Sequence, residues 1–296
     1  MNKRNIIKMI KTGELIFKIK EKLSVIYIKN NIIKNLQLQY REYRRLKKKY
    51  SRVIDKVNIN DDMKASNKVW VFWFQGYEEA PVLIKKCINS IKDKFKHKEV
   101  IVLSKNNYKE YITFPDYIEK KFSEGVIPYA HFSDLIRIEL LAKYGGTWCD
   151  ATLYVTEKLP SYMTDSELFV FKSIGLDRTD KELTVASNWY MSAHSNNKII
   201  LTTRNLLFEY WKNEKFLTHY YIFHLFFKIV TEKYEKEWNE VPTFSNINPH
   251  ISQFELLNEY NKERFEQIKK ISPIHKLNRY VGNKEKETFL DYIINN

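Results

Sequence analysis

The sequence predicts an α/β protein built on a doubly wound, mainly parallel sheet, with a basic helical region ahead of it. Three observations point there. Val69 to Phe74, within KVWVFWFQG, is an unbroken apolar and aromatic run, short enough for a strand and apolar enough to be covered on both faces. Pro81 and the stripe Leu83, Cys87, Ile91 and Phe95 make an amphipathic helix. Val100 to Leu103 is a second strand with a polar exit. Strand, helix and strand in that order imply a right-handed crossover. Ligands of such sheets bind beyond the carboxyl ends of the strands, which marks Gln75, Gly76 and Ser104.

Residues 1–57 read as a basic amphipathic helical arm, 58–67 as a polar linker and 68–296 as the main domain. In the arm, Ile6, Ile7, Ile10, Leu15, Ile16, Ile19 and Leu23 recur at helical spacings among lysines. The densely basic QYREYRRLKKKYSR follows, from Gln39 to Arg52. Two readings fit this pattern: an arm for an anionic membrane surface or a partner, or a helix packed on the main domain with its Lys/Arg face in solvent.

Beyond the crossover, Ser133 suits the N-cap of a helix running to Tyr144. Leu135, Ile138, Leu141 and Ala142 form its inner stripe, and Gly145 suits the residue just past its end. TWCDATLYV reads as one strand and ELFVFKSIG, from Glu167 to Gly175, as another. ASNWYMSAHSNN predicts a turn or short strand before a helix. His219 to Trp238 reads as helical, as does Ser252 to Lys270, and SPIHKLNRY as a loop carrying His275 and Lys276.

Composition bounds the partners. The chain has 296 residues, 44% of them hydrophobic and 15% aromatic, enough for a sizeable core and against global disorder. Its net charge of +14 calls for an anionic partner: nucleic acid, lipid headgroups or a phosphorylated substrate. Nucleic acid fits least, because basic density peaks in the arm and the aromatics read as core rather than stacking platforms. Cys87 and Cys149 read as reduced core residues, not a disulfide framework. Charges interrupt every apolar run at the N-terminus, unlike a signal peptide, and no run nears the roughly 18 apolar residues of a membrane span. The expectation is an intracellular chain not integral to the membrane.

Three charges stand out in SDLIRIELLAKYGGTWCDAT. Asp134 and Arg137 are helical neighbours. Asp150 sits in a strand otherwise apolar, where burial without a partner costs several kcal/mol. A cation, a sugar hydroxyl or an arginine must meet it. Alone, the Asp134–Arg137 pair also reads as a plain helical ion pair, Trp73 as a core aromatic and Asn188 as a turn residue.

This stretch resembles the S-D-x-x-R…Y-G-G-x-W-x-D-A-T pattern of capsular polysaccharide synthesis glycosyltransferases, relatives of the DXD-motif mannosyltransferase-like enzymes and of the glucosylating clostridial toxins. VFWFQGYEEAP and SNWYMSAHSNN fit the same pattern, as PIHKL does more weakly. The resemblance implies a GT-A fold: a Rossmann-like nucleotide-sugar-binding domain, here with a helical N-terminal arm and helical C-terminal additions. It implies transfer from a nucleotide sugar, UDP-linked, to a growing lipid-linked cell-surface glycan at the cytoplasmic face of the membrane. Retention of configuration is implied too, and no residue stands out as a nucleophile.

The resemblance makes Asp134, Arg137 and Asp150 the catalytic set. It places Trp73, Gln75, Asn188 and Lys276 with them around the donor. It implies Mn²⁺ or Mg²⁺ on Asp150, with His275 as a further ligand. Position 152 departs from the pattern: Thr152 stands where the second acid of DXD belongs, and a hydroxyl is a poor primary ligand for such ions. Lys276 and nearby arginines are the alternative source of positive charge. A catalytically inactive nucleotide-sugar-binding relative is the other reading.

Overall fold

The computed structural model describes residues 3–24, 31–55, 57, 62–173, 183–278 and 287–296. Helices α1 (Lys3–Thr12), α2 (Glu14–Ser24) and α3 (Asn31–Ile54) come first. Strand β1 (Lys68–Phe72), helix α4 (Val82–Lys94) and strand β2 (Glu99–Leu103) make the expected crossover. Helices α5 (Asp116–Ser123) and α6 (Tyr129–Tyr144) lead into β3 (Gly146–Asp150) and β4 (Leu153–Val155). Next come α7 (Ser161–Thr164), β5 (Leu168–Lys172), β6 (Ala186–Ala193), α8 (Lys198–Asn213) and α9 (Ile222–Lys233). The chain closes with α10 (Glu235–Glu240), α11 (Ile247–Glu255), α12 (Lys262–Ile271), β7 (Ile274–Lys276) and α13 (Phe289–Asn295).

The central sheet has the order β2-β1-β3-β6-β5. Strand β1 is parallel to both β2 and β3, whereas β6 runs antiparallel to β3 and to β5. The α/β, Rossmann-like class read from the sequence holds. Both faces of β1 are covered, which is why its residues are apolar without alternation. Val69 and Val71 pack with Ile84, Ile88 and Ile91 of α4. Trp70 and Phe72 face the larger core built with α6, α8 and α9.

That larger core also takes Tyr43, Leu46, Tyr50 and Ile54 of α3. Arg45 bonds Glu42 and Glu214, and the Tyr43 hydroxyl donates to Glu232. The second half of α3 is thus part of the main domain's core. The packed-helix reading describes that half of α3, Glu42 to Ile54. Helices α1 and α2 differ, since Ile10, Ile16 and Leu23 are each more than half exposed.

Several elements differ from expectation. Helix α6 begins at Tyr129, straight after Pro128, whose extended conformation (ψ 152°) suits a helix entry. Ser133 therefore lies inside the helix, and Asp134 and Arg137 are past its first turn. TWCDATLYV breaks at Ala151 and Thr152, so that β3 joins the central sheet while β4 pairs with β7 in a small antiparallel sheet. The expected loop around His275 is that third strand segment, β7. ASNWYMSA is a full strand, and each of the two long C-terminal helices is two shorter ones.

Two glycines fix how α6 delivers β3. Gly145 has φ +66° and Gly146 φ +95°. A Cβ on Gly145 would lie 2.6 Å from Ser195 N, and one on Gly146 2.3 Å from Lys68 O. The tight turn threads between β1 and the segment after β6, and only glycine fits.

Candidate active site

Asp150 ends β3 beside Phe72, the last residue of β1. It therefore stands at the carboxyl edge of the parallel strands, where such sheets bind ligands. Four chain segments bring polar groups to the cluster around it. From α6, Arg137 Nη2 donates to Asp150 Oδ1 at 2.9 Å, and Nη1 bonds Asp134 Oδ1. From β3 itself, Trp148 Nε1 donates to Asp150 Oδ1 at 2.9 Å. From β7, Lys276 Nζ donates to Asp150 Oδ2 at 3.0 Å and also bonds Thr152 Oγ1. From β6, Asn188 Nδ2 donates to Asp134 Oδ1 at 2.9 Å. Two carboxylates and two cations thus form one connected, charge-balanced cluster.

Arg137 is its centre and is sealed. Its side chain is 4% exposed, against 25% for Asp150 and 17% for Lys276. The guanidinium lies 4.7 Å from the Trp148 ring centre and 5.9 Å from that of Phe223, so aromatic faces and two acids together hold it. Burial pushes the Asp150 carboxyl up, but Lys276 and Arg137 outweigh it and hold the group below its ordinary value. The same balance, with Arg137 and then His131 opposing burial, lowers Asp134. His131 Nδ1 stands 3.4 Å from Asp134 Oδ2. His224 of α9 bonds the Ala186 carbonyl, and burial pushes its pKa down to about 4 despite Asp134 nearby.

A family model described as capsular polysaccharide synthesis protein matches residues 21–293. The chain belongs to this capsular polysaccharide synthesis family. The solved PaToxG Glycosyltransferase is similar in structure, at TM-score 0.42 and 14% identity over 79% of this chain and 95% of that one. No curated protein matches the chain.

Of the site residues expected for this family member, the structure brings Asp134, Arg137, Asp150, Asn188 and Lys276 into direct contact. Trp73 follows β1 at the same edge, but its ring packs against the core on the α4 side. Its Nε1 is buried with no partner among the described residues. Gln75 is exposed in the turn after β1.

His275 is the correction. It alternates with Lys276 along β7, so the two side chains point to opposite faces. Its Nε2 lies 3.1 Å from Thr156 Oγ1 and its Nδ1 3.0 Å from Ser252 Oγ. It is 1% exposed, and burial, with Lys269 adding, lowers its pKa to about 4. A ring with both nitrogens engaged inside the core is a structural histidine, not a ligand beside Asp150.

The donor set also fits a divalent metal poorly. No group of three or more His, Cys, Asp or Glu side chains arranged to hold a metal occurs among the described residues. Asp150 is the lone carboxylate at D-A-T, and the ammonium already bridges it to Thr152. A divalent ion on the same oxygen would stand roughly 4 Å from that ammonium, a repulsion on the order of 8 kcal/mol at an effective dielectric of about 20.

Trp148, Phe223 and His224 were not singled out from sequence. Trp148 had a signal, because residues two apart on a strand share a face and Asp150 is its neighbour. Phe223 and His224 had none, since only the tertiary packing of α9 brings them in.

Proposed function

We propose that the protein is a glycosyltransferase that moves a sugar from a nucleotide sugar, UDP-linked, to a growing cell-surface polysaccharide. One observation carries this reading: the Asp134–Arg137–Asp150–Lys276 cluster at the carboxyl edge of β1 and β3, in a member of a capsular polysaccharide synthesis family. Asp150 and Asp134 accept hydrogen bonds from sugar or ribose hydroxyls, which carboxylates bind strongly. Asn188 adds an amide at the same rim. Trp73 and Gln75 flank the strand end where the base would lie. Given the retention that the family resemblance implies, the chemistry is a front-face displacement, since the cluster presents no separate nucleophile.

A lipid-linked acceptor on an anionic inner membrane surface suits the first two helices. Ile7, Ile10, Ile16, Ile19 and Leu23 remain exposed beside lysines, as in helices that lie in the interfacial plane. No helix among the described residues is long and apolar enough to cross a membrane.

The test is turnover of a panel of nucleotide sugars by the purified protein, beside Asp150→Ala. Hydrolysis or transfer from one donor, lost in the variant, supports the reading. A purified chain that turns over none of them with any lipid-linked acceptor would leave an inactive binding relative as the better account.

A further inference from the structure

The geometry points to Lys276 as the protein's own cation at the donor diphosphate, standing where a divalent metal would otherwise bridge enzyme and leaving group. This rests on the donor-binding reading above and specifies how that site handles charge.

Lys276 Nζ touches the first and third residues of D-A-T at once, Asp150 Oδ2 at 3.0 Å and the Thr152 hydroxyl. Those two positions are the ones from which a pair of acids would grip a cation, and here an ammonium spans them. Its location is set by strand register: β7 pairs with β4 so that Lys276 lies opposite Leu153, one residue after Thr152. Leu277 N also donates to the Thr152 carbonyl at 3.0 Å, which clamps the two turns together. The other Asp150 oxygen is held by Arg137 and Trp148.

Accessibility separates the two cations. Arg137 is sealed between Trp148, Phe223 and the two acids, whereas Lys276 and Asp150 are both partly open. An ammonium has three N–H donors. Two are directed at Asp150 and Thr152, and the third is left for a phosphate oxygen. A compact point charge on a phosphate is a recurrent use of lysine.

In the transfer step, the acceptor hydroxyl oxygen bonds to the anomeric carbon as the bond from that carbon to the β-phosphate oxygen breaks. The bonding pair stays on the diphosphate, and the hydroxyl proton passes to a diphosphate oxygen. Lys276 faces the charge that builds on the departing diphosphate, and its bond to Asp150 holds it in place.

Calorimetric titration of the full chain with UDP and with GDP, in EDTA and in Mn²⁺, tests this alongside Lys276→Gln and Lys276→Arg. Circular dichroism establishes that each variant is folded. The expected result is a Kd in EDTA within about twofold of that in Mn²⁺, weakened about tenfold or more by Lys276→Gln and largely kept by Lys276→Arg. If Lys276→Gln fails to fold, the EDTA comparison on the natural chain decides alone. Binding seen only with Mn²⁺ overturns the proposal and leaves the donor reading standing. Binding of neither nucleotide in either buffer overturns both.

Discussion

Lys276 and Asp150 lie 126 positions apart and meet at 3.0 Å, joining a C-terminal strand to the end of β3. Asp150 is the junction of the cluster, since both of its oxygens accept from cations. Asp150→Asn keeps the shape and removes the charge, leaving Arg137 with one acid and Lys276 with a neutral amide. The expected outcome is a fall in donor turnover of about 100-fold or more, the scale on which a single electrostatic contact in a closed site acts. Initial rates at saturating nucleotide sugar measure it, and a loss under about threefold would remove Asp150 from the chemistry.

Arg137 carries a stability consequence as well. Arg137→Ala leaves Asp134 and Asp150 facing each other across a gap between Trp148 and Phe223. Breaking a buried ion pair by removing one partner costs about 3–5 kcal/mol. Arg137→Lys should recover little, because one ammonium cannot fork to two carboxylates. Urea unfolding midpoints of the three proteins rank as natural, Lys, then Ala, with the last two close together.

Much of this arrangement could be read from residue order. The apolar run of β1, the amphipathic stripe of α4 and the glycines after α6 follow from local rules, and they place Asp150 at a strand end. Its need for a partner also followed, because a carboxylate in an apolar strand must be met. Which partner it meets did not. His275 and Lys276 are adjacent in sequence, and only the β4–β7 pairing decides that the lysine reaches Asp150 while the histidine turns inward. The start of α6 was misplaced because Ser133 is a good cap chemically, yet Pro128 had already begun the helix a turn earlier. The dense charges of α3 left two readings open, a surface arm or a helix packed on the main domain. Tyr43, Leu46, Tyr50 and Ile54 nevertheless line one face at helical spacing and fill the core.

The glycine turn gives a prediction independent of function. Gly146→Ala combines a left-handed backbone with a Cβ 2.3 Å from Lys68 O, a backbone atom of β1 that cannot swing away. The expected loss is about 2 kcal/mol or more in unfolding free energy. Gly13→Ala, also at positive φ but with nothing within 4 Å of the new Cβ, should cost less. Thermal melts of the two variants compare strain with strain plus collision.

The buried histidines set an acid limb of stability. His275 and His224 have folded pKa values near 4, below the ordinary 6.5. Between those values the unfolded chain binds protons that the folded chain excludes, so stability falls as pH drops from about 6.5 to 4. The full shift at His275 corresponds to on the order of 3 kcal/mol. Asp150 and Asp134 act in the same direction at lower pH, because their depressed carboxyls contribute above the ordinary 3.8 and lose that contribution below it. Urea unfolding at pH 7 and pH 4.5 should show a drop that His275→Gln reduces. An unchanged drop in that variant would mean His275 is not the titrating group.

The N-terminal helices give the last prediction, and their packing decides how to test it. Removing residues 1–57 would take Tyr43, Leu46, Tyr50 and Ile54 out of the core, together with the Arg45 bonds to Glu42 and Glu214. That deletion reports on folding rather than on membranes. Removing residues 1–24 takes the exposed isoleucines of α1 and α2 and leaves α3 in place. If these helices lie on an anionic surface, the shorter chain should sediment less with phosphatidylglycerol vesicles, by about tenfold in partition coefficient. Its unfolding midpoint and its turnover of soluble donor should stay near those of the full chain. Equal sedimentation of both chains would assign the basic exterior to another partner, while a collapsed unfolding midpoint would show that α1 and α2 contribute to the fold itself.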